Sequence, residues 1–313
     1  MDLNRNVVIS QLCGGFGNQL FQYAAARAIA TRNNALLLLD CEWFVGEQRG
    51  ALFENFKRSM VMTKLKITGT IKGEPATTSK GGAFGKRIFS WLQDRSLWRS
   101  GTITDLREVS LLFDPRLLQV TGSVRLSGYW QSERYFCEIR ESLLSEFTPE
   151  DESVRRHAVE FVCQRRRLGD RIVGVHVRRG DIAFSHETLR NPAAVGMELL
   201  PVSYYETAMK TFQGNVHFLI CTDDPTWCQM HVARGISNRE VVSTGEALQD
   251  FEIMRACEDN IIANSSFSWW AAWLNETSDK RIVCPSRWFS DTFPLPYSLD
   301  DLLPVSWQRI NWD

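Results

Sequence analysis

The chain has 313 residues, 44% of them hydrophobic, enough for a sizeable core and for two domains. Its 36 basic and 37 acidic residues leave a net charge of −1, which argues against a dedicated nucleic-acid binder. No apolar run approaches the ~20 residues of a membrane helix, and the start "MDLNRNVVISQL" lacks a signal-peptide core. The expectation is a cytoplasmic protein with at most peripheral contact at the inner face of a membrane. The eight cysteines, at 13, 41, 137, 163, 221, 228, 257 and 284, form no C-x-x-C. Cys228 and His231 have a ligand-like spacing, with His217 and Cys221 just upstream. Those two fall in an apolar strand run, a poor place for a metal, so reduced, buried thiols and no metal are expected.

"NVVISQL" reads as a strand, residues 18–31 as an Ala-rich helix, and "ALLLLD" as a second buried strand, together one βαβ unit. Residues 67–86, "ITGTIKGEPATTSKGGAFGK", read as a loop. "KRIFSWLQDRSLWR" reads as a basic, aromatic helix that could rest on anionic lipid or simply pack between domains. "VRLSGYWQSERYF" reads as a strand running into a turn. From residue 171 the alternation is cleaner. The strands are "RIVGVHV", "NVHFLICT", "EVVS", "NIIAN" and "RIVCP". The helices between them are "PVSYYETAMKTF", "DPTWCQMHVA", "GEALQDFEIMRAC" and "SSFSWWAAWLN". Repeated βα units imply parallel sheets covered by helices, here two Rossmann-like halves joined near residues 164–170.

Three constellations carry chemistry. The first is "CGGFGNQLFQYAAARA", a glycine turn between strand and helix. Gly15 and Gly17 fit two positions of a dinucleotide fingerprint and Asp40 fits its acid, but the third glycine position is Leu20. Asn18-Gln19 stands where a phosphate loop needs Lys-Ser/Thr. A nicotinamide-dependent oxidoreductase is thus one reading and a ligand-free tight turn another. The uncharged amides of "GNQ" suit a hydroxyl-bearing ligand. The second is "VGVHVRRGD". Alternation puts His176 and Arg178 on one face at the strand's C-terminal end, where open α/β sheets bind ligands; Arg179 points to the other face. Arg178 suits a phosphate, and Asp181 is placed to anchor an arginine. The third is "NIIANSSFSWW", where Ser265 and Ser266 open a helix whose free N–H groups favour an anion, or simply cap it. Upstream, Asp250 and Glu252 lie on or beside the preceding helix, where a carboxylate can accept from a guanine or simply form a solvated helix face.

Together these pieces resemble the bacterial α-1,2-fucosyltransferases, a family of inverting glycosyltransferases that use GDP-fucose. The matching stretches are "GGFGNQLFQYAAARA", "SGYWQSERYF", "VGVHVRRGD", "LLPVSYYETA", "FLICTDD" and "DFEIMRACEDNIIANSSFSWWAAWLN", from residue 14 to residue 275. The resemblance implies an α/β fold of GT-B type, with two Rossmann-like domains whose parallel sheets face across a cleft. Residues 1–165 would form the acceptor side, with 67–101 an insertion or loop. Residues 166–313 would bind the donor. It implies His176, Arg178, Arg179, Asp181, Asp250, Ser265, Ser266 and Phe267 around GDP-fucose, with Gly15 and Gly17 close by and Asn18 near the sugar or leaving phosphate. Ile182 departs from the tyrosine frequent after "RRGD".

The implied reaction is an in-line displacement onto the 2-hydroxyl of a galactoside, free or lipid-linked. No D-x-D occurs in the sequence, so Arg178 and the serine turn, rather than a metal, would take the departing charge. His186 is the base candidate, with Glu187 and Asp181 nearby. Tyr129, Trp130 and Gln131 are candidates for the acceptor, while Trp269, Trp270 and Trp273 read as core. A non-catalytic nucleotide-sugar or glycan-binding protein is the remaining alternative.

Overall fold

The computed structural model describes residues 5–45, 58–72, 103–168, 170–191 and 195–312. The basic aromatic segment at 86–99 lies outside the described residues. In the N-terminal half, β1 (Val7–Gln11), α1 (Phe16–Arg32) and β2 (Leu36–Asp40) form the expected βαβ unit. Then come β3 (Thr70–Lys72), β4 (Thr104–Arg107) and β5 (Val124–Ser127), giving an all-parallel sheet of order β3-β2-β1-β5-β4. β3 falls inside the stretch read as loop. Thr70-Ile71-Lys72 pairs with Leu38, Leu39 and Asp40 as a three-residue edge strand, too short to show a sequence period.

Helices α2 (Arg140–Glu146) and α3 (Glu152–Arg165) lead to the second sheet. It contains β6 (Arg171–Val177), α4 (Val202–Lys210), β7 (Val216–Thr222), α5 (Pro225–His231) and β8 (Arg239–Val242). It is completed by α6 (Ala247–Ala256), β9 (Asp259–Ile261), α7 (Ser266–Leu274), β10 (Ile282–Pro285) and β11 (Gln308–Ile310). This sheet is also all-parallel, in the order β11-β10-β9-β6-β7-β8. The expected architecture of two parallel-sheet α/β halves is present. α3 falls numerically in the first half but packs on α6 of the second, where Arg155 meets the buried Glu252 at 3.3 Å.

One hydrophobic cluster runs through both halves, from Val8, Phe21 and Leu39 to Trp269, Trp270 and Trp307. Its centre is α1 against α7. α1 is buried on most sides, because its Ala-rich stretch lies against the sheet while Phe16, Leu20 and Phe21 serve other neighbours. Phe21 sits 4.5 Å from Trp269 and 5.0 Å from Trp270, centroid to centroid, and Phe136 stacks on Trp270 at 5.1 Å. The α7 tryptophans are therefore core, as expected. The C-terminal segment ties the halves a second time: Asp301 accepts from the Phe113 N–H at 3.0 Å and pairs with Arg134 at 2.7 Å.

Candidate functional site

In each sheet the strand order reverses beside a central strand, and open α/β sheets bind ligands in the crevice outside that point. In the first sheet the point lies between β1 and β5, flanked by the loops at residues 12–15 and 128–131. In the second it lies between β6 and β9, flanked by the loops at 178–181 and 262–265. The two crevices meet. A Cβ on Gly17 would lie 2.2 Å from the Ser266 carbonyl carbon and 2.5 Å from the Phe267 nitrogen, so the start of α1 rests on the backbone at the start of α7. Gly17 thus serves close approach of two helices, not a dinucleotide, and the nicotinamide reading loses its main support.

Neither α1 nor α7 has an acidic residue in its first turn. Their N-terminal partial positive charges, roughly half an elementary charge each, therefore face one place without a counterion of their own. Ser265 precedes α7, but its hydroxyl makes no capping bond to the helix. Ser265, Ser266 and Phe267 remain partly exposed. The Phe267 ring lies 5.1 Å from the His176 ring and 6.3 Å from Phe16, bridging the two halves.

His176 is buried, and its Nδ1 has no hydrogen-bond partner among the described residues. Burial, reinforced by Arg178, outweighs Asp223 and pushes its pKa down to about 4, so the ring is neutral near pH 7. Arg178 is held on both sides by carboxylates, Asp181 and Asp223. Burial opposes its charge, but these two acids outweigh burial and raise its pKa. Asp223 also accepts the Arg179 N–H at 2.8 Å. The adjacent acids of "TDDP" lie just beyond β7 and serve different arginines: Asp223 pairs with Arg178, while Asp224, the N-cap of α5, lies 3.2 Å from Arg179.

Arg179 is fully engaged on its own side. It pairs with Glu187 at 2.8 Å and lies 3.8 Å over the Trp227 ring. The base candidates are engaged too: Glu187 by Arg179, Asp181 by arginines, and His186 by the Met197 carbonyl 2.8 Å from its Nε2. Asp250 sits in the first turn of α6 and accepts from Thr244 N–H at 3.0 Å and Thr244 Oγ1 at 2.8 Å, closing the turn that precedes the helix. Burial raises its pKa. The Cys228 thiol donates to Thr222 at 3.2 Å, and no group of three or more His, Cys, Asp or Glu side chains among the described residues could hold a metal.

Across the crevice, Asn18 Oδ1 accepts from Gln131 Nε2 at 2.9 Å, which joins the first turn of α1 to the loop after β5. Tyr129 is exposed, but Trp130 is only 5% exposed and packs edge-on to Tyr135 at 6.1 Å. Trp130 therefore cannot offer its face to a sugar; its positive φ of 57° turns the side chain into the core. Glu108, which no sequence pattern marked, accepts from the Tyr129 N–H at 2.6 Å and the Trp130 N–H at 3.0 Å and so sets this loop. Arg58 was also missed. It pairs with Asp181 at 2.6 Å, crossing from the first half to the second. Asp223 stood in the stretch "FLICTDD" without an assigned role; it lies just beyond the end of β7, the strand parallel to the one that leads to Arg178.

Residues 119–309 match the family model of glycosyl transferase family 11. The chain is 29% identical over 317 residues to an alpha-1,2-colitosyltransferase of Escherichia coli, covering 97% of this chain and 99% of that protein. It is 28% identical over 275 residues to galactoside alpha-(1,2)-fucosyltransferase 1 of Leontopithecus chrysomelas, covering 83% of this chain and 63% of that one. Among solved structures it is similar to NodZ alpha-1,6-fucosyltransferase soaked with GDP-fucose, at 18% identity and a TM-score of 0.46, covering 86% of this chain and 92% of the other.

Proposed function

The chain belongs to glycosyl transferase family 11, and from that premise we propose that it moves fucose from GDP-fucose to the 2-hydroxyl of a galactose-terminated glycan, with inversion and without a metal. The observation that carries this reading is the meeting of two helix N-termini, free of acidic first-turn residues, with Arg58 next to Gly15 and joined to Arg178 through Asp181. Such a place favours a diphosphate and stabilises it as it departs. Neutral His176 and the Ser265 and Ser266 hydroxyls offer uncharged hydrogen bonds to the same group, and Asp250 is the carboxylate assigned to accept from the guanine edge. Asn18, Gln131 and exposed Tyr129 lie on the opposite wall, suited to a polyhydroxylated acceptor. In the displacement the acceptor hydroxyl bonds to the anomeric carbon, the bond to the GDP oxygen breaks, and the acceptor proton leaves to solvent or a carboxylate.

A second reading is favoured by one observation: a relative that aligns along almost the whole chain is an alpha-1,2-colitosyltransferase. Colitose would then be the transferred sugar and the rest of the scheme would stand. The test incubates the purified full-length chain with GDP-fucose or GDP-colitose, each with a β-galactoside. GDP release and NMR of the product are followed, with and without EDTA. The expected result is an α-1,2 linkage formed at the same rate in EDTA. GDP release without transfer, a different linkage, or loss of activity in EDTA would overturn the corresponding part of the proposal. Arg178→Ala is expected to lower kcat by ~10²–10³.

A further inference from the structure

We infer that Arg58 is the second arginine of the diphosphate site, supplied by the N-terminal half to the oxygens of the terminal phosphate. This deepens the reading above and rests on it. Four charges alternate across the crevice: Arg58, Asp181, Arg178 and Asp223. Arg58 meets one Asp181 oxygen at 2.6 Å, and Arg178 meets the other. The two guanidiniums thus share one carboxylate. The Arg58 Nε is also 4.0 Å from where a Cβ on Gly15 would stand, and Gly15 is the N-cap of α1.

A cation beside a helix N-terminus is on the wrong side of the dipole, and a second cation beside it adds repulsion. Burial and Arg178 lower the Arg58 pKa, and Asp181 and Asp223 offset this only in part. Fully consistent folds avoid such placements, and exceptions concentrate where a ligand completes the arrangement. Two arginines and two helix N-termini converge here, donors that suit an anion with several oxygens. A diphosphate supplies them, and the planar fork of arginine matches them in pairs. Asp181 then positions both arginines, since each of its oxygens holds one. Gly15 leaves the route open, because a side chain there would reach toward Arg58.

The test is calorimetric titration of GDP and GMP into the full chain and into Arg58→Gln and Arg58→Lys, with thermal unfolding as the folding control. Contact with the terminal phosphate predicts GDP binding ~10–100-fold weaker in Arg58→Gln, while GMP binding changes less than about twofold. Arg58→Lys keeps the charge but not the fork, so it should lose ~3–10-fold for GDP alone. Should Arg58→Gln not fold, Arg58→Lys decides. An unchanged GDP-to-GMP affinity ratio in a folded variant overturns the role of Arg58 and leaves the function standing. A wild-type chain that binds neither GDP nor GDP-fucose overturns both.

Discussion

Glu108 shows how much one unmarked side chain decides. It follows β4, whose register sets Arg107 beside Ser127, so its carboxylate lies under the Tyr129–Trp130 peptide groups. Burial pushes its pKa up to about 7; the two N–H groups offset this only in part. In the unfolded chain the group titrates near 4.5. Between those values the folded state holds a proton that the unfolded state has lost. The stabilising protonation is complete below about pH 4.5 and is lost as pH rises through about 7. Glu108→Gln removes this titration while keeping one acceptor. The stability of wild type relative to Glu108→Gln should therefore fall between pH 5 and pH 7.5, by an amount on the order of 1–2 kcal/mol after allowing for solvent screening, and stay flat above. Urea unfolding at four pH values measures it. A difference that does not vary with pH would mean that Glu108 is ionised throughout. Nothing in "LREVS" announces this role, because it depends on a strand pairing. Arg58 is illegible for the same reason: its partner Asp181 lies 123 residues along the chain.

The helices divide differently between what the sequence shows and what it hides. α7 was legible from "SSFSWWAAWLN", since three tryptophans within five positions of a short helix must be buried somewhere. α1 was legible as a helix, but the packing of its Gly17 against the start of α7 was not. A glycine in a strand-to-helix turn looks the same in sequence whether a ligand or another helix approaches it. Here the atoms facing Gly17 are backbone, and they cannot rotate away. Gly17→Ala must push α1 and α7 apart or shift the start of α7, the segment that carries Ser265, Ser266 and Phe267. Overpacking of this kind costs ~1–3 kcal/mol, and backbone-to-backbone contact places it at the upper end. The expected outcome is that loss of stability together with weaker GDP binding, although residue 17 touches no ligand in the proposed scheme. Unfolding midpoints and GDP titration on the same preparation check it; wild-type values for both would show that the helices yield at no cost.

The two sheets take their strands from residues 7–127 and 171–310, and two such halves commonly imply two units that open, close and unfold separately. The packing argues otherwise for this chain. The C-terminal sheet covers one face with its own helices, in a cluster that includes Val175, Tyr204, Ile220 and Val283. Its other face joins the cluster that contains β1, α1 and β2. Remove the N-terminal half, and Trp269 and Trp270 lose Phe21 and Phe136, keeping among the described residues only the ring contacts with each other, Trp273 and Trp307. Each such ring buries roughly 150–250 Å², so the exposed area would rival a stable interface. Arg255 would lose the Phe147 carbonyl, 3.1 Å from its Nη1, and Asp301 would lose Arg134 and the Phe113 N–H. The full chain should therefore unfold in one calorimetric transition, with van't Hoff and calorimetric enthalpies in agreement. Residues 166–313 alone should lack dispersed amide resonances. Two resolved transitions, or a folded fragment, would show that the halves are held by the crevice ligands rather than by the core. A shared core also limits how the crevice fills. With α1 fixed on α7 through that core, GDP in the proposed scheme would enter by rearranging Arg58, Arg178 and their carboxylates rather than by parting the halves.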